Sequence, residues 1–207
     1  MLWAAVTGES GCSILVVNAE GDIAYANAAA IERFEFRGDP AEARLHDVLP
    51  EAVAEEQLDM IRLSLDHGGP IQIKGMLRGV FCLTSFRPIP GTDGLIFMLV
   101  RPCHAQAASQ CDGGPRVMRC RFDDYGELGK LTARELEVLR LIGLGRATAA
   151  IAEELHRSVK TIEWHRVSLG NKLGARNRVE LARIAINAGL APLDAPNAGA
   201  REFMAGS

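Results

Sequence analysis

The spacing of apolar residues changes character about two thirds of the way along the chain. Up to residue 101, short β-branched and aromatic runs alternate with turn signals; from residue 130 onward, apolar residues recur every three or four positions. The stretch SILVVNAEGDIAYA, residues 13–26, reads as a hairpin in which Ile14–Val17 and IAYA flank a NAEGD turn. Asn27 starts a helix whose Ala30, Ile31 and Phe34 form an apolar stripe, and Gly38-Asp39-Pro40 breaks it. A longer helix follows, with Val53, Leu58, Ile61 and Leu65 at helical spacing, and Gly68-Gly69 stops it. Three strand-like runs (70–77, 80–89 and 95–100) are separated by turns at Arg78-Gly79 and PGTDG. The order β-β-α-α-β-β-β predicts an α+β domain over residues 1–101, an antiparallel sheet with flanking helices.

Residues 102–129 lack sustained periodicity and read as a linker, with a short strand or helix at RVMRCRF; residues 191–207 read as a flexible tail. Between them, residues 130–190 predict four helices. Thr132 and Glu135 form a capping box, and Leu136, Leu139 and Ile142 line the helix behind it. Thr148 caps a short helix with Ile151, Ala152 and Leu155 facing inward, HRS makes a tight turn, and Ser158 caps the next helix. Asn177 and Glu180 form a second capping box, and the last helix packs Leu181, Ile184, Ala185 and Ala188. A short helix, a tight turn and a second helix at this spacing make a helix-turn-helix, whose second helix enters the major groove.

Charge sharpens the division. The chain carries a formal net charge of -3, but residues 1–101 hold 8 Lys+Arg against 14 Asp+Glu, whereas residues 130–190 hold 11 against 6. An acidic front joined to a basic back points to different partners, with a polyanion at the back. The composition, 48% hydrophobic and 24% charged, is that of a globular protein, and no apolar run approaches the roughly 18 residues a bilayer span requires. The N-terminal MLWAAVTGESGC has neither a basic region nor a long apolar run, so a secretory signal is not expected. Five scattered cysteines, an odd number, read as free cytosolic thiols. A cytoplasmic protein without membrane association is expected.

Two resemblances attach to these patterns. VVNAEGDIAYANAAAIERF, with Asn27 at a recurrent position, resembles the opening of a PAS domain, and the likeness covers roughly residues 10–101. From Leu131 to Ala182 the chain resembles the LuxR/GerE-type DNA-binding domain without a gap. Leu131-Thr132, Arg134-Glu135, Glu137-Val138-Leu139, Ile151-Ala152, Ser158, Lys160-Thr161, His165, Lys172-Leu173-Gly174 and Arg178-Val179-Glu180-Leu181 carry that likeness. Glu163 with His165-Arg166 resembles the response-regulator branch, although the front has no receiver-like acidic cluster with a phosphorylatable Asp and a downstream Lys. The turn departs from the usual Leu-Gly-hydrophobic-Ser: His156 stands in place of glycine, and Arg157 replaces the hydrophobe. His156 must then adopt a backbone conformation that glycine takes more cheaply, and Arg157 is left exposed where a phosphate backbone favours a cation.

At about 100° per residue, Val159, Ile162, Leu169 and Leu173 fall on one side of the recognition helix and are expected to bury. Lys160, Glu163, Trp164, Val167, Ser168 and Asn171 gather opposite. Glu163 is suited to accept from a cytosine amino group, Asn171 to pair with adenine and Val167 to touch a thymine methyl. Lys160, Thr161, His165, Arg166 and Lys172 are suited to phosphates. Trp164 either reads DNA or packs on a neighbouring helix. Ala182 and Ile186, away from the Leu181/Ile184 face, correspond to what the resemblance implies is a dimerisation surface. A two-fold dimer implies an inverted-repeat site in double-stranded DNA.

No cofactor is predicted, though a small ligand in the PAS-like domain is compatible with the resemblance. Cys120-Arg121-Phe122 lies past the last predicted strand and not in the helix a flavin adduct needs, and His67 reads as a helix-end residue rather than a haem ligand. Cys103, His104, Cys111 and Cys120 have no zinc spacing. No nucleophile elbow, phosphate loop or dinucleotide fingerprint occurs, so an enzyme is not expected. The leading expectation is a homodimeric transcriptional regulator whose PAS-like domain senses a signal or mediates dimerisation. The alternatives are an interaction module that pairs with a sensor and contacts RNA polymerase or a partner regulator, and a cofactor-bearing redox or light sensor.

Overall fold

The computed structural model describes residues 12–103 and 117–191, and the chain divides into two compact units. Residues 1–11, the linker residues 104–116 (His104 and Cys111 among them) and the tail from residue 192 lie outside the described residues.

The front unit contains β1 (Ser13–Val17), β2 (Ile23–Ala26), α1 (Ala28–Phe34), a 3-10 turn (Pro40–Glu42), α2 (Leu45–Val48), α3 (Glu51–His67), β3 (Ile71–Leu77), β4 (Val80–Pro88), β5 (Ile96–Pro102) and β6 (Val117–Arg119). The sheet order is β2-β1-β5-β4-β3-β6. The expected hairpin, both predicted helices and the three later strands are all present. Asn27 is the helix start: its Oδ1 accepts from Ala30 N–H at 2.9 Å and from Ile14 N–H at 2.9 Å, tying α1 to β1. Alternation along β5 buries Ile96, Met98 and Val100 on one face, in the same core cluster as α3's Val53, Leu58 and Ile61.

Three expectations need correction here. The sheet is not purely antiparallel, because β6 pairs parallel with β3, Val117 opposite Gln72 and Arg119 opposite Lys74. That strand comes from the segment read as linker, and Cys120–Asp124 follow it onto the same unit. Ile31, counted in the α1 stripe, is 40% exposed, since Ala30 and Phe34 alone point into the core. The α2 helix and the 3-10 turn were not anticipated: four and three residues are too short for a periodicity to register.

The segment after β6 is fastened by polar contacts that the sequence does not announce. Glu56, buried on α3, accepts from the backbone N–H of Arg121 at 2.7 Å and of Phe122 at 3.1 Å. Asp123 Oδ1 accepts from Met76 N–H at 2.7 Å. Gly75 leaves the space that Cys120 fills: a Cβ there would sit 1.7 Å from its Sγ. At the β3–β4 turn Arg78 holds φ 53°, and its guanidinium donates to Phe34 O and Val48 O, the terminal carbonyls of α1 and α2.

The back unit begins with a 3-10 turn (Gly126–Lys130) and continues with α4 (Ala133–Gly143), α5 (Thr148–Glu154), α6 (Val159–Leu173) and α7 (Arg178–Asn187). Its core is Val138, Leu139, Leu141, Ile142, Ile151, Ile162, Leu169, Leu181 and Ala185. The α4 seam thus runs through Val138 and Leu141 beside Leu139 and Ile142, while Leu136 is only half-buried. Gly143 admits α7 at close range: a Cβ would meet Ala185 Cβ at 2.7 Å and Ala191 Cβ at 2.8 Å. Ala191, assigned to the tail, is buried there.

Candidate nucleic-acid interface

The helix-turn-helix is α5, the turn Leu155–Ser158 and α6. Thr132 caps α4 as expected, its Oγ1 accepting from Glu135 N–H at 3.2 Å while Glu135 Oε2 accepts from Thr132 N–H at 2.8 Å. Thr148 does not cap α5. Ala147 occupies the extended cap position, and Thr148 Oγ1 faces the Arg166 guanidinium at 3.5 Å instead. In the turn His156 takes φ 50°, and Arg157 N–H donates back to Ala152 O at 2.8 Å. Arg157 is exposed. Arg134 braces the turn from α4, donating to Leu155 O at 2.8 Å and pairing with Glu137 at 2.6 Å. Ser158 then caps α6 by accepting from Thr161 N–H at 3.1 Å.

On α6, Ile162 and Leu169 are fully buried and Leu173 is half-buried. Val159, placed in the same seam, is 45% exposed: it opens the helix, one turn before the neighbouring helices close over the seam. On the opposite side Lys160, Glu163, Trp164, Val167 and Asn171 are all exposed. Trp164 is 65% exposed and Val167 63%. The Trp164 ring meets only the edge of His165, at 5.2 Å, so among the described residues it is not packed on another helix. Trp164 and Val167 thus leave apolar surface exposed beside a cation, a carboxylate and an amide on one side of the helix.

The other site residues are drawn inward. The Thr161 hydroxyl is 2.8 Å from Ser158 Oγ, within the cap. His165 and Arg166 are half-buried, and their Nδ1 and Nε atoms make no hydrogen bond among the described residues. Ser168 Oγ donates to Glu135 Oε1 at 2.7 Å, and Lys172 Nζ to Glu135 Oε2 at 2.7 Å. Ser168 therefore leaves the exposed row, and Lys172 is an internal brace. Glu135 is 3% exposed and stays ionised because the Lys172 ammonium, outweighing the cost of burial, acts with Thr132 and Ser168 to hold its carboxyl down to about 2. The same residue that caps α4 thus anchors the C-terminal half of α6. Capping is visible in sequence; a contact across 37 residues is not.

Asn177 caps α7 through Oδ1, accepting from Glu180 N–H at 2.9 Å. The return half of that box lands one residue early: Glu180 Oε2 accepts from Arg176 N–H at 2.6 Å. Ala182 and Ile186 are half-buried, and Val179 is the α7 hydrophobe that projects most, at 76% exposure.

The described residues contain no group of three or more His, Cys, Asp or Glu able to hold a metal ion. His67 is exposed at the end of α3, and Cys120 sits over β3 rather than on a helix. Burial pushes the Cys82 and Cys120 thiols up to about 12, and raises that of Cys103, which is opposite to what a redox-active thiolate requires. No helix among the described residues is long and apolar enough to cross a membrane.

Residues 129–185 match the family described as bacterial regulatory proteins, luxR family. Among curated proteins, the chain is 39% identical over 83 residues to an uncharacterized transcriptional regulatory protein, YvfU, of Bacillus subtilis, covering 39% of this chain and 42% of that protein. It is 31% identical over 129 residues to the transcriptional regulatory protein FixJ of Azorhizobium caulinodans, covering 62% and 58%. The chain therefore spans less than two thirds of the length of these relatives. Among solved structures, a VqmA dimer of Vibrio cholerae aligns over 92% of this chain and 88% of its own, at 19% identity and a TM-score of 0.43. The PAS domain of nitrogen regulation protein NR(II) from Vibrio parahaemolyticus aligns over 50% of this chain and 99% of its own, at 19% identity and a TM-score of 0.39.

Proposed function

We propose that this chain, whose residues 129–185 form a luxR-family helix-turn-helix domain behind a PAS-like front, is a sequence-specific transcriptional regulator that reads double-stranded DNA. The observation that carries the reading is the exposed row Lys160, Glu163, Trp164, Val167 and Asn171, set on a helix whose opposite side is sealed into the core. A helix of about 10–12 Å diameter fits the major groove, and this row offers a donor, an acceptor, an amide and apolar surface to base edges. Glu163 takes a cytosine amino group, Asn171 an adenine, and Val167 with Trp164 the methyl-bearing edge of thymine. Lys160, which opens that row, and Arg157, which precedes it, take phosphates, which fix register without reading sequence. His165 and Thr161 support the helix from its flanks, while Ser168 and Lys172 act through Glu135 to hold its angle.

The chain acts as a cytoplasmic homodimer on an inverted-repeat site, with Ala182, Ile186 and the projecting Val179 at the α7 contact. The front, residues 1–101 together with the β6 strand, senses a signal or sets dimer geometry, and so decides whether two recognition helices match the half-site spacing. Selection of bound duplexes from a random pool by the full chain tests this. Recovery of a two-fold symmetric site supports the reading, and recovery of unenriched sequence refutes it.

A further inference from the structure

An open groove of about 710 Å³ runs beside the exposed row of α6. Glu163, Val167 and Asn171 form part of one wall; Arg166 also lines it, and Arg176 and Arg178, which flank the start of α7, line the other side. The row proposed to face bases is therefore one side of a groove whose remaining charge is cationic. Arg166 is lightly engaged, with a single 3.5 Å contact to Thr148 Oγ1 and an Nε that makes no hydrogen bond among the described residues. Arg178 is committed to the Arg146 carbonyl. Arg176 is exposed, and its side chain makes no hydrogen bond or ion pair among the described residues. Glu180 is the nearby carboxylate, and its oxygens accept from the Arg176 backbone N–H at 2.6 Å and from Asn177 Nδ2 at 3.1 Å, so it makes no ion pair with the Arg176 guanidinium.

The geometry points to this groove as the seat of one sugar–phosphate strand of the bound duplex, with Arg176 and Arg166 as its phosphate contacts and Arg178 as a positioning residue. The inference rests on the DNA-reading proposal above. A helix of about 10–12 Å diameter nearly fills a major groove about 12 Å wide. Surface immediately beside the base-facing row must then meet a backbone strand rather than a second base edge. Two guanidinium groups present fork-shaped donors to phosphate oxygens there, a match that lysine does not reproduce. Sequence reading passes over Arg176 because it lies in the turn after α6, outside the helix that carries the reading residues.

The test is the salt dependence of binding by the full chain to a random 30-base-pair duplex. Each lost phosphate contact lowers the slope of log affinity against log salt by about 0.9. Arg176→Gln should lower the slope by about that much per bound copy without altering base preference, and Arg166→Gln/Arg176→Gln by about twice as much. Arg176→Lys should restore the slope while leaving affinity below wild type. Arg140→Gln, an exposed cation on α4 outside the groove, should leave the slope unchanged. Circular dichroism checks that each variant folds. A wild-type slope in Arg176→Gln, or an equal loss in Arg140→Gln, overturns the assignment while wild-type binding still supports the DNA reading. Absence of salt-dependent binding by the wild type overturns both.

Discussion

Replacing Lys172 by methionine separates two roles that a recognition-helix lysine can have. In the structure its ammonium lies 2.7 Å from a Glu135 carboxylate whose side chain is 4% exposed, while Lys172 itself is 34% exposed. Removing one partner of a fully buried ion pair costs about 3–5 kcal/mol, and a hydrogen bond to a charged group is worth about 1.5–3 kcal/mol. Water reaches Lys172 and partly replaces it, and Thr132 and Ser168 remain on Glu135, so a loss of about 2 kcal/mol is expected. Hydrogen exchange of the α4 amides Val138–Ile142 in the full chain reports the opening free energy of this unit alone. At pH 7 their protection should fall about 30-fold, the equivalent of that loss. The gap should also close on acidification. The folded carboxyl is held near 2 against an ordinary value of 4.5, so its contribution is complete above the ordinary value and drains as the pH falls toward 2. At pH 3 about half or less of the pH 7 difference should remain. Equal protection in both proteins at pH 7, with duplex binding weakened, would refute the brace and place Lys172 on phosphates.

Other substitutions test neighbouring steps. His156→Gly should raise stability by up to about 1 kcal/mol, seen as a higher thermal midpoint, because glycine holds φ 50° without a Cβ clash. Trp164→Ala should change stability by no more than about 0.5 kcal/mol yet weaken duplex binding, since the ring is 65% exposed. Glu163→Ala should relax preference at one base pair by about 1–3 kcal/mol in a binding-site selection, leaving the others unchanged. Gly75→Ala should cost about 1–3 kcal/mol and make the Cys120 thiol reactive toward a disulfide reagent, because the new Cβ displaces that side chain from β3.

Much of this architecture is legible in the sequence because it is local. Ser158, Asn27 and the Thr132–Glu135 box act within three residues, and their caps appear where the pattern puts them. Alternation and turn residues likewise mark β1 to β5 with small shifts at the ends. What escapes is long-range. The pairing of β6 with β3, the grip of Glu56 on Arg121 and Phe122, and the closure of Lys172 and Ser168 on Glu135 join residues 33 to 66 positions apart, and no periodicity encodes them. The helical wheel places most of α6 correctly and fails at Val159 and Ser168. Val159 lies beyond its packing neighbours, and Ser168 and Lys172 turn toward a carboxylate that a wheel cannot see. Arg176 escaped for a related reason: a turn residue has no helical face, yet the fold sets it beside one.

The central claim, that the exposed row of α6 and its flanking cations read duplex DNA, meets its most direct test in a salt titration. Binding of the full chain to a labelled random duplex, followed by fluorescence anisotropy from 50 to 200 mM salt, reports the number of phosphates neutralised. With Arg157, Lys160, Arg166 and Arg176 as contacts, affinity should fall about hundredfold per bound copy over that range. A flat response, or no binding at the lowest salt, would contradict the account.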